Sequence, residues 1–416
     1  MMTLRKWRIL YTSHTGKTSG AEKVLLDMLG GLDRTQYEPL ALCPAEGTLQ
    51  QMLAEQGVPC IHMPYLNARF TCRPSQLLQY IYSFASVIAA TRKAIEYCNP
   101  DLVHANTVRA GIAATVATIG TGRTIIWHVH DSLPQHLLSK IIRLLAYTSS
   151  RTRIVAVSNA TAKAFCGHLP FNDRVCVVHN GTDLGRFPPK RPGESPFKEE
   201  LGISPKSFLI CAVGQICARK GLRELLEVFS QIYDDVPQMH LAIVGKPVFS
   251  HEEAYRDELV AMSVAFGIAD RVHFSGERSD ISSVLRSANL LVLNSFDEPF
   301  GLVLIEAMSS GTPVLATHTG GIPEIVSDSQ KGWLIERGDK AGLALKLVEL
   351  SRDSDLLDRV ARSAQDTVYP YFSLDRFFTD IHKFYAKVIK LTCSEQKLET
   401  PILHTKSHSR QGDQHV

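Results

Sequence analysis

No stretch of this chain approaches the ~18 uninterrupted apolar residues that a membrane-spanning helix needs. The opening MMTLRKWRILYTS has no long apolar core behind its basic residues, so no signal peptide is expected. Cysteine pairing is missing too. The nine cysteines are odd in number and scattered without metal-ligand spacing, and Cys211 and Cys217 stand too far apart for a redox C-x-x-C pair. That pattern predicts reduced thiols and a cytoplasmic setting, with any membrane contact peripheral. No G-x-G-x-x-G follows a strand pattern and opens a helix, which argues against a dinucleotide dehydrogenase. The TGKT at Thr15–Thr18 lacks the glycine that a phosphate-binding P-loop requires five residues before Gly16; Tyr11 stands there instead. Neither sign of charge dominates, with 45 Lys+Arg against 42 Asp+Glu. The balance is uneven, however: residues 1–185 carry 18 basic against 11 acidic residues, a net +7 that leaves −4 for the remainder of the +3 total. A basic first half suits an anionic partner such as a membrane surface or a phosphorylated acceptor, and ordinary variation between domains accounts for it equally well.

What is present is enough apolar sequence, 44% of 416 residues, to build two or three cores. Short apolar strand patterns occur at Trp7–Tyr11, Pro39–Leu42, Leu102–His104, Thr124–His130, Ile154–Val157 and Val175–Val178. Helical patterns lie between them at Ala21–Leu29, Gln76–Tyr97, Val108–Ile119 and Gln135–Tyr147. The second half repeats the alternation with strands Leu209–Val213, Leu241–Val244, Val272–Phe274, Leu290–Leu293, Pro313–Ala316 and Trp333–Ile335. Such alternation predicts α/β architecture, parallel sheets covered on both faces, with ligands beyond the carboxyl ends of the strands. PPKRPGESP at Pro188–Pro196 reads as an exposed linker between two doubly wound domains. The polar stretch after Thr392 reads as disordered, its His404, His408 and His415 solvated. In QHLLSKIIRLLAY the apolar residues gather on one side, with Lys140 and Arg143 off it; packing on the sheet is the expected use of that face, docking on an anionic bilayer the alternative.

The most informative stretch is NSFDEPFGLVLIEAMSSGTPVLATHTGGIPEI, Asn294 to Ile325. A strand, a glycine turn and a helix starting near Gly301 leave backbone N–H groups free to hold an anion. Glu298 and Glu306 bracket the turn with seven residues between them, acceptors suited to a hydroxyl-rich ligand. Written as EPFGLVLIE followed by SSGTPVLAT and GGIPE, this resembles the retaining glycosyltransferases of family four, which have the GT-B fold of two Rossmann-like domains facing a cleft. The resemblance covers about Trp7 to Lys390. It implies an acceptor-side domain over 1–187, a linker over 188–200 and a nucleotide-sugar domain over 201–371. It implies further a helix over 372–391 crossing back to the first domain, ahead of the tail at 392–416.

Carried over residue by residue, the resemblance assigns Glu306 to the ribose hydroxyls, Glu298 to the sugar hydroxyls, and the helix start Phe300, Gly301 and Leu302 to the phosphates. Lys220 matches the family's diphosphate-gripping lysine. The partner arginine is replaced by Gln215, and Arg219 is a candidate second cation in a different register. Gly20, before Ala21-Glu22, matches the second of a glycine pair near the donor phosphate or acceptor. His130, closing WHVHD, matches a histidine that touches the donor sugar or stabilises the transition state, while Asp131 either caps the next helix or orients His130. No D-x-D occurs where the other large glycosyltransferase fold holds its metal, so neither metal nor cofactor is expected. The reading is transfer from a nucleoside diphosphate sugar to a carbohydrate or lipid-linked hydroxyl, in polysaccharide or glycolipid synthesis. It has no nucleic-acid partner, and peripheral membrane contact would be through the first domain. The alternatives are a nucleotide-sugar epimerase on the same fold and a non-catalytic nucleotide-sugar-binding protein.

Overall fold

A computed structural model describes residues 5–66, 74–133, 136–169, 173–191 and 193–399. Seven strands, β1 (Trp7–Thr12), β2 (Tyr37–Pro44), β3 (Cys60–Met63), β4 (Leu102–Ala105), β5 (Thr124–Val129), β6 (Thr152–Ala156) and β7 (Val175–Val177), form one sheet in the order β3-β2-β1-β4-β5-β6-β7. Six more, β8 (Phe208–Val213), β9 (Met239–Val244), β10 (Val272–Phe274), β11 (Leu290–Leu293), β12 (Val314–Thr317) and β13 (Trp333–Ile335), form a second in the order β10-β9-β8-β11-β12-β13. Every strand pairing is parallel. Central strands such as β4, β5 and β11 are buried along their whole length, which is why they read as continuous apolar runs rather than alternating ones. In both sheets the order reverses beside the first strand, and there the loops after neighbouring strands diverge to leave a crevice. The two-sheet α/β expectation holds. β3 was not expected; it is a half-exposed edge strand between two prolines, too short for a periodic signal.

The helix Leu374–Glu399 lays Phe377, Ile381, Phe384, Tyr385 and Val388 into the core of the first sheet beside Ile9, Tyr11 and Met28. The crossing begins where Thr182 N–H donates to the Phe372 carbonyl at 2.9 Å. Helix continues past Thr392, correcting the expectation of disorder for its first residues: the buried Thr392 hydroxyl meets Thr124 Oγ1 at 2.9 Å. His404, His408 and His415 lie outside the described residues. The proline-rich segment is largely exposed as far as Pro196 and then docks, because helix Pro196–Glu200 buries Phe197 against the second lobe. Among the described residues no helix is long and apolar enough to cross a membrane.

One helix is turned opposite to expectation. In Leu137–Tyr147 the buried residues are Ser139, Arg143 and Ala146, while Leu137, Leu138, Ile141 and Leu144 are 73%, 44%, 55% and 64% exposed. Small Ser139 and Ala146 let the helix approach its neighbours. Arg143 is drawn inward by carbonyls, donating to Phe165 O at 2.7 Å, Ala164 O at 2.9 Å and Leu133 O at 3.1 Å. These charge-assisted bonds outweigh burial of the leucines.

Candidate active site

The loops that follow β8, β11 and β12 build one wall of the crevice. Lys220, in the turn ahead of helix Leu222–Ile232, donates from Nζ to Glu298 Oε2 at 2.6 Å, and Ser295 Oγ donates to the same oxygen at 3.1 Å. Arg219 Nη1 lies 3.8 Å from that oxygen and donates to the Asp297 carbonyl at 2.7 Å. Burial pushes the Glu298 carboxyl upward, but the charges of Lys220 and Arg219 and the Lys220 and Ser295 hydrogen bonds prevail and hold it below its ordinary value. Gly320, at φ +53°, packs on the Glu298 backbone so closely that a Cβ would stand 2.0 Å from its carbonyl oxygen. The first glycine of GGIPE thus fixes the Glu298 loop by backbone contact, which no other residue permits.

Glu306, on helix Leu302–Ser309, is partly buried, and among the described residues its carboxylate has no hydrogen-bond partner. Burial raises its pKa, with Lys23 and Arg186 opposing and Asp27 adding to the shift. Lys23 and Asp27 belong to helix Gly20–Gly30 of the other lobe, so Glu306 faces across the crevice. Gly301 has φ +104° at the N-cap of the Glu306 helix. Phe300 has no exposed ring to offer: it is 3% exposed, stacked on His179 at 5.6 Å between ring centres and edge-on to Phe372 at 6.0 Å. Leu302 is likewise packed into the cores. Both can contribute backbone N–H only.

Gln215 does not point freely to a ligand. Its Nε2 donates to both carboxylate oxygens of Glu252, at 2.7 and 2.8 Å, and Glu252 also accepts from the backbone of Val248 and Phe249. Glu252 was not singled out from the sequence. Its position three residues after Phe249, the N-cap of helix Ser250–Ala265, was the available signal.

On the other wall, Gly20 opens helix Gly20–Gly30 with no atom within 4 Å of where a Cβ would sit, whereas a Cβ on Gly16 would strike Glu46 O at 1.8 Å. The crowded glycine is Gly16, and space is left at Gly20. His130 follows β5 and is 8% exposed, its Nε2 lying 3.3 Å from Asn106 Oδ1. Asn106 in turn donates to the Ala21 carbonyl at 3.0 Å. Burial lowers the His130 pKa to about 3, so the ring is neutral. Asp131 neither caps the helix, whose N-cap is His136, nor hydrogen-bonds His130 among the described residues. Its carboxyl is raised by burial and stabilised by Arg219 and Arg109, one cation from each lobe. Behind His130 lies a buried chain: the His128 ring packs against it, tilted by 36° with ring centres 4.0 Å apart, His128 Nδ1 lies 3.2 Å from His104 Nε2, and His104 Nδ1 lies 2.8 Å from the Tyr385 hydroxyl. The crossing helix therefore reaches to the back of the site. Asn106 and Tyr385 carried no sequence signal, since they converge only through the sheet.

The walls are clasped together. Glu324 does not hold its own loop but caps helix Asn159–Cys166 of the first lobe, accepting from Asn159 N and Ala160 N at 2.9 Å, Asn159 Nδ2 at 2.8 Å and His179 Nε2 at 2.7 Å. Burial opposes the charge; the His179, Asn159 and Ala160 bonds overcome it and hold the carboxyl at about 2. Ser158 Oγ donates to Pro299 O at 2.7 Å and Ser132 Oγ to Asp297 Oδ1 at 2.9 Å.

Comparison with known proteins agrees with this geometry. Residues 194–367 match the family model for glycosyl transferases group 1, and residues 18–186 that for glycosyltransferase family 4. N-acetyl-alpha-D-glucosaminyl L-malate synthase of Bacillus anthracis is 28% identical over 193 residues, 46% of this chain and 49% of that one, so the match spans about half of that relative. D-inositol 3-phosphate glycosyltransferase of Streptomyces avermitilis is 27% identical over 319 residues, 72% of this chain and 68% of that one. Among solved structures, HepE of Anabaena in complex with UDP and glucose superposes with a TM-score of 0.77 at 26% identity, covering 91% of this chain and 99% of that one. Sucrose-phosphate synthase of Thermosynechococcus elongatus shares the fold, with a TM-score of 0.76 at 18% identity over 93% and 100% of the two chains. With both lobes matched and the crevice between them lined as described, the chain belongs to the family 4 glycosyltransferases of group 1 and has their GT-B fold.

Proposed function

We propose that this enzyme moves a sugar from a nucleoside diphosphate sugar, a UDP-sugar first among them, to a hydroxyl acceptor with retention of anomeric configuration and without a metal. The observation that carries the reading is the Lys220–Glu298 pair, 2.6 Å apart at the crevice with Arg219 alongside. Without donor the cations rest on Glu298; with donor they turn to the diphosphate, and Glu298 is released to accept from sugar hydroxyls. Glu306, without a partner, takes the ribose hydroxyls. The N–H groups at Gly301 and Leu302 and the open space at Gly20 receive the phosphates, and neutral His130 contacts the sugar. HepE, with UDP-glucose bound, supports the choice of base.

The chemical burden is the charge that develops on the departing diphosphate. Lys220, Arg219 and the helix start oppose it from fixed positions, and loss of one such donor raises the barrier by about 3–4 kcal/mol. Glycoside hydrolysis sets two carboxylates on opposite sides of the scissile bond; here both glutamates come from one lobe, which favours transfer. The acceptor enters from the first lobe, past Arg109 and Asp131, as a carbohydrate or a lipid-linked hydroxyl. The eight described cysteines are all free, in keeping with a cytoplasmic reaction in polysaccharide or glycolipid synthesis.

A thermal-shift screen of UDP-, GDP-, ADP- and CDP-sugars identifies the donor, because a bound ligand stabilises the fold. Product analysis with the acceptor omitted separates transfer from epimerisation. A second reading, binding without turnover, is favoured by one observation: Gln215 replaces a cation and is tied to Glu252. Donor consumption above background by the wild-type chain, lost in Lys220→Ala and Glu306→Ala, eliminates that reading. Normal turnover by both variants eliminates the first.

A further inference from the structure

The loops that follow β8, β11 and β12 build the crevice; the segments that precede the same three strands build a second hollow, at the opposite edge of that sheet. Its volume is about 480 Å³, within the range of roughly 300–1,000 Å³ that small-molecule sites occupy. Pro205 ahead of β8, Asn289 ahead of β11 and Gly311 ahead of β12 form its sheet side. Linker residues Lys190 and Arg191 close one flank and helix Ser354–Phe372 another. The hollow is thus bordered by both connections between the lobes, since helix Ser354–Phe372 runs into the returning helix Leu374–Glu399. The two connections are tied together at the far end of the Glu306 helix. Lys190 N–H donates to the Ser310 carbonyl at 2.9 Å, Ser309 Oγ to the Phe187 carbonyl at 2.9 Å, and Gln365 Nε2 to the Ser309 carbonyl at 2.8 Å.

The charge of the hollow is one-sided. Lys190, Arg191, Lys198, Arg286 and Arg362 line it against Glu194 and Asp358, a net +3 within residues 186–416, which together carry −4. The two acids hold these cations loosely. Lys190 lies 3.9 Å from Asp358, while Arg191 and Arg286 lie 3.7 and 3.8 Å from Glu194, all beyond hydrogen-bond length. Open pairs of this kind contribute little, so they exchange readily for a better anion. Arg362 is exposed and has no hydrogen-bond or ion-pair partner among the described residues. Lys198 is 5% exposed; its ammonium donates to the carbonyls of Pro205 at 3.1 Å and Ser207 at 2.8 Å and meets no carboxylate among the described residues. Burial lowers its pKa, and the charge of Lys190 lowers it further. A buried cation without a counter-ion is costly, and an anion in the hollow supplies the missing charge.

We propose that this hollow is a second anion site that takes a small organic phosphate, with Arg286, Arg362 and Lys190 on the phosphate oxygens and Lys198 balancing charge from the floor. Guanidinium forks match phosphate oxygens in pairs, and the volume leaves space for a sugar or a nucleoside beside the phosphate. A ligand held by the linker on one side and by the Arg362 helix on the other spans both connections, and so is placed to limit how the lobes move against each other. The inference does not rest on the transferase reading, because binding is measured without donor or turnover.

The test is calorimetric titration of the full-length chain with inorganic pyrophosphate, then with glucose 6-phosphate and with AMP, at low and high salt. The wild type is expected to bind pyrophosphate both here and in the crevice, more weakly at high salt. Arg286→Gln/Arg362→Gln is expected to weaken the site described here by about tenfold for each arginine and to spare the crevice, and Lys220→Ala to do the reverse. Arg362→Gln alone changes an exposed, unpartnered side chain, so its effect is not one of misfolding; an unchanged melting temperature verifies the double variant. Of the two organic phosphates, the one that binds more tightly to the arginine-sensitive site tells a sugar phosphate from a nucleotide. Binding that responds to the two arginines but not to Lys220→Ala supports the proposal even if the crevice takes no pyrophosphate, a result that would count against the donor site alone. Binding lost in Lys220→Ala and unchanged in the folded double variant overturns the proposal, as does a wild type in which none of the three probes finds an arginine-sensitive site.

Discussion

Replacing Glu324 by Gln should loosen the clasp between the lobes, by an amount that depends on pH. The carboxylate accepts four hydrogen bonds from the first lobe, two from the free N–H groups at the start of helix Asn159–Cys166. It is held at about 2 rather than its ordinary 4.5. A carboxyl whose folded pKa is depressed contributes stability that is complete above its unfolded pKa and is lost as pH falls through the folded one. The displacement corresponds to about 3 kcal/mol at pH 7, and the side chain, 17% exposed, is shielded enough to retain most of it. Gln keeps the shape but removes the charge and turns an amide N–H toward backbone donors, so a loss of about 2–3 kcal/mol is expected. Paired urea titrations of wild type and Glu324→Gln measure it. Linkage predicts that the difference shrinks by about 1 kcal/mol at pH 4 and about 2 kcal/mol at pH 3. A difference below about 1 kcal/mol at neutral pH, or one unchanged between pH 7 and 3, would refute the assignment of Glu324 as a charged inter-lobe cap.

Three further outcomes follow from the site. Lys220→Ala should lower kcat by at least about a hundredfold through lost stabilisation of the leaving group, whereas Asn106→Ala, which frees His130 without touching donor charge, should cost less and leave UDP affinity unchanged by calorimetry. Tyr385→Phe strands His104 Nδ1 in the core and should cost about 1–3 kcal/mol in a urea titration, with melting affected more than turnover. Burial lowers His104 to about 3, so its titration leaves stability unchanged above pH 6.5, where the ring is neutral in both states, and opposes folding progressively as pH falls toward 3. His104→Gln, which disturbs the buried contacts to Tyr385 and His128, should be less stable than wild type at pH 7 but lose stability less steeply on acidification, by about 1.4 kcal/mol per pH unit between pH 6 and 4.

The expectations that survived were those in which a short segment contains its own physics. EPFGLVLIE encodes a strand end, a glycine turn and a helix start in consecutive residues, and its neighbour GGIPE needs its first glycine because the Glu298 backbone occupies the Cβ position. Parallel strands buried on both faces read as apolar runs, so β4, β5, β8 and β11 were legible, while the half-exposed edge strand β3 was not. Gln215 was legible as a departure from the family, but its capture by Glu252, 37 positions away, was not. The support of His130 was hidden for the same reason: Asn106 lies 24 residues before it and Tyr385 on the returning helix.

Helix Leu137–Tyr147 shows why periodicity alone misleads. Its apolar face is as clear as any in the chain, and a sequence pattern reports that one face differs from the other, not which way it turns. The direction was set by groups outside the helix. The carbonyls of Ala164 and Phe165, at the end of the following helix, needed donors, and the Arg143 guanidinium supplied them from the face opposite the leucines. Leaving those carbonyls buried and unpaired would cost about 1–3 kcal/mol each, comparable to exposing a leucine at about 1.5–3 kcal/mol. Satisfying several at once with a charged donor therefore tips the balance. A helix oriented by its arginine leaves its leucines facing outward.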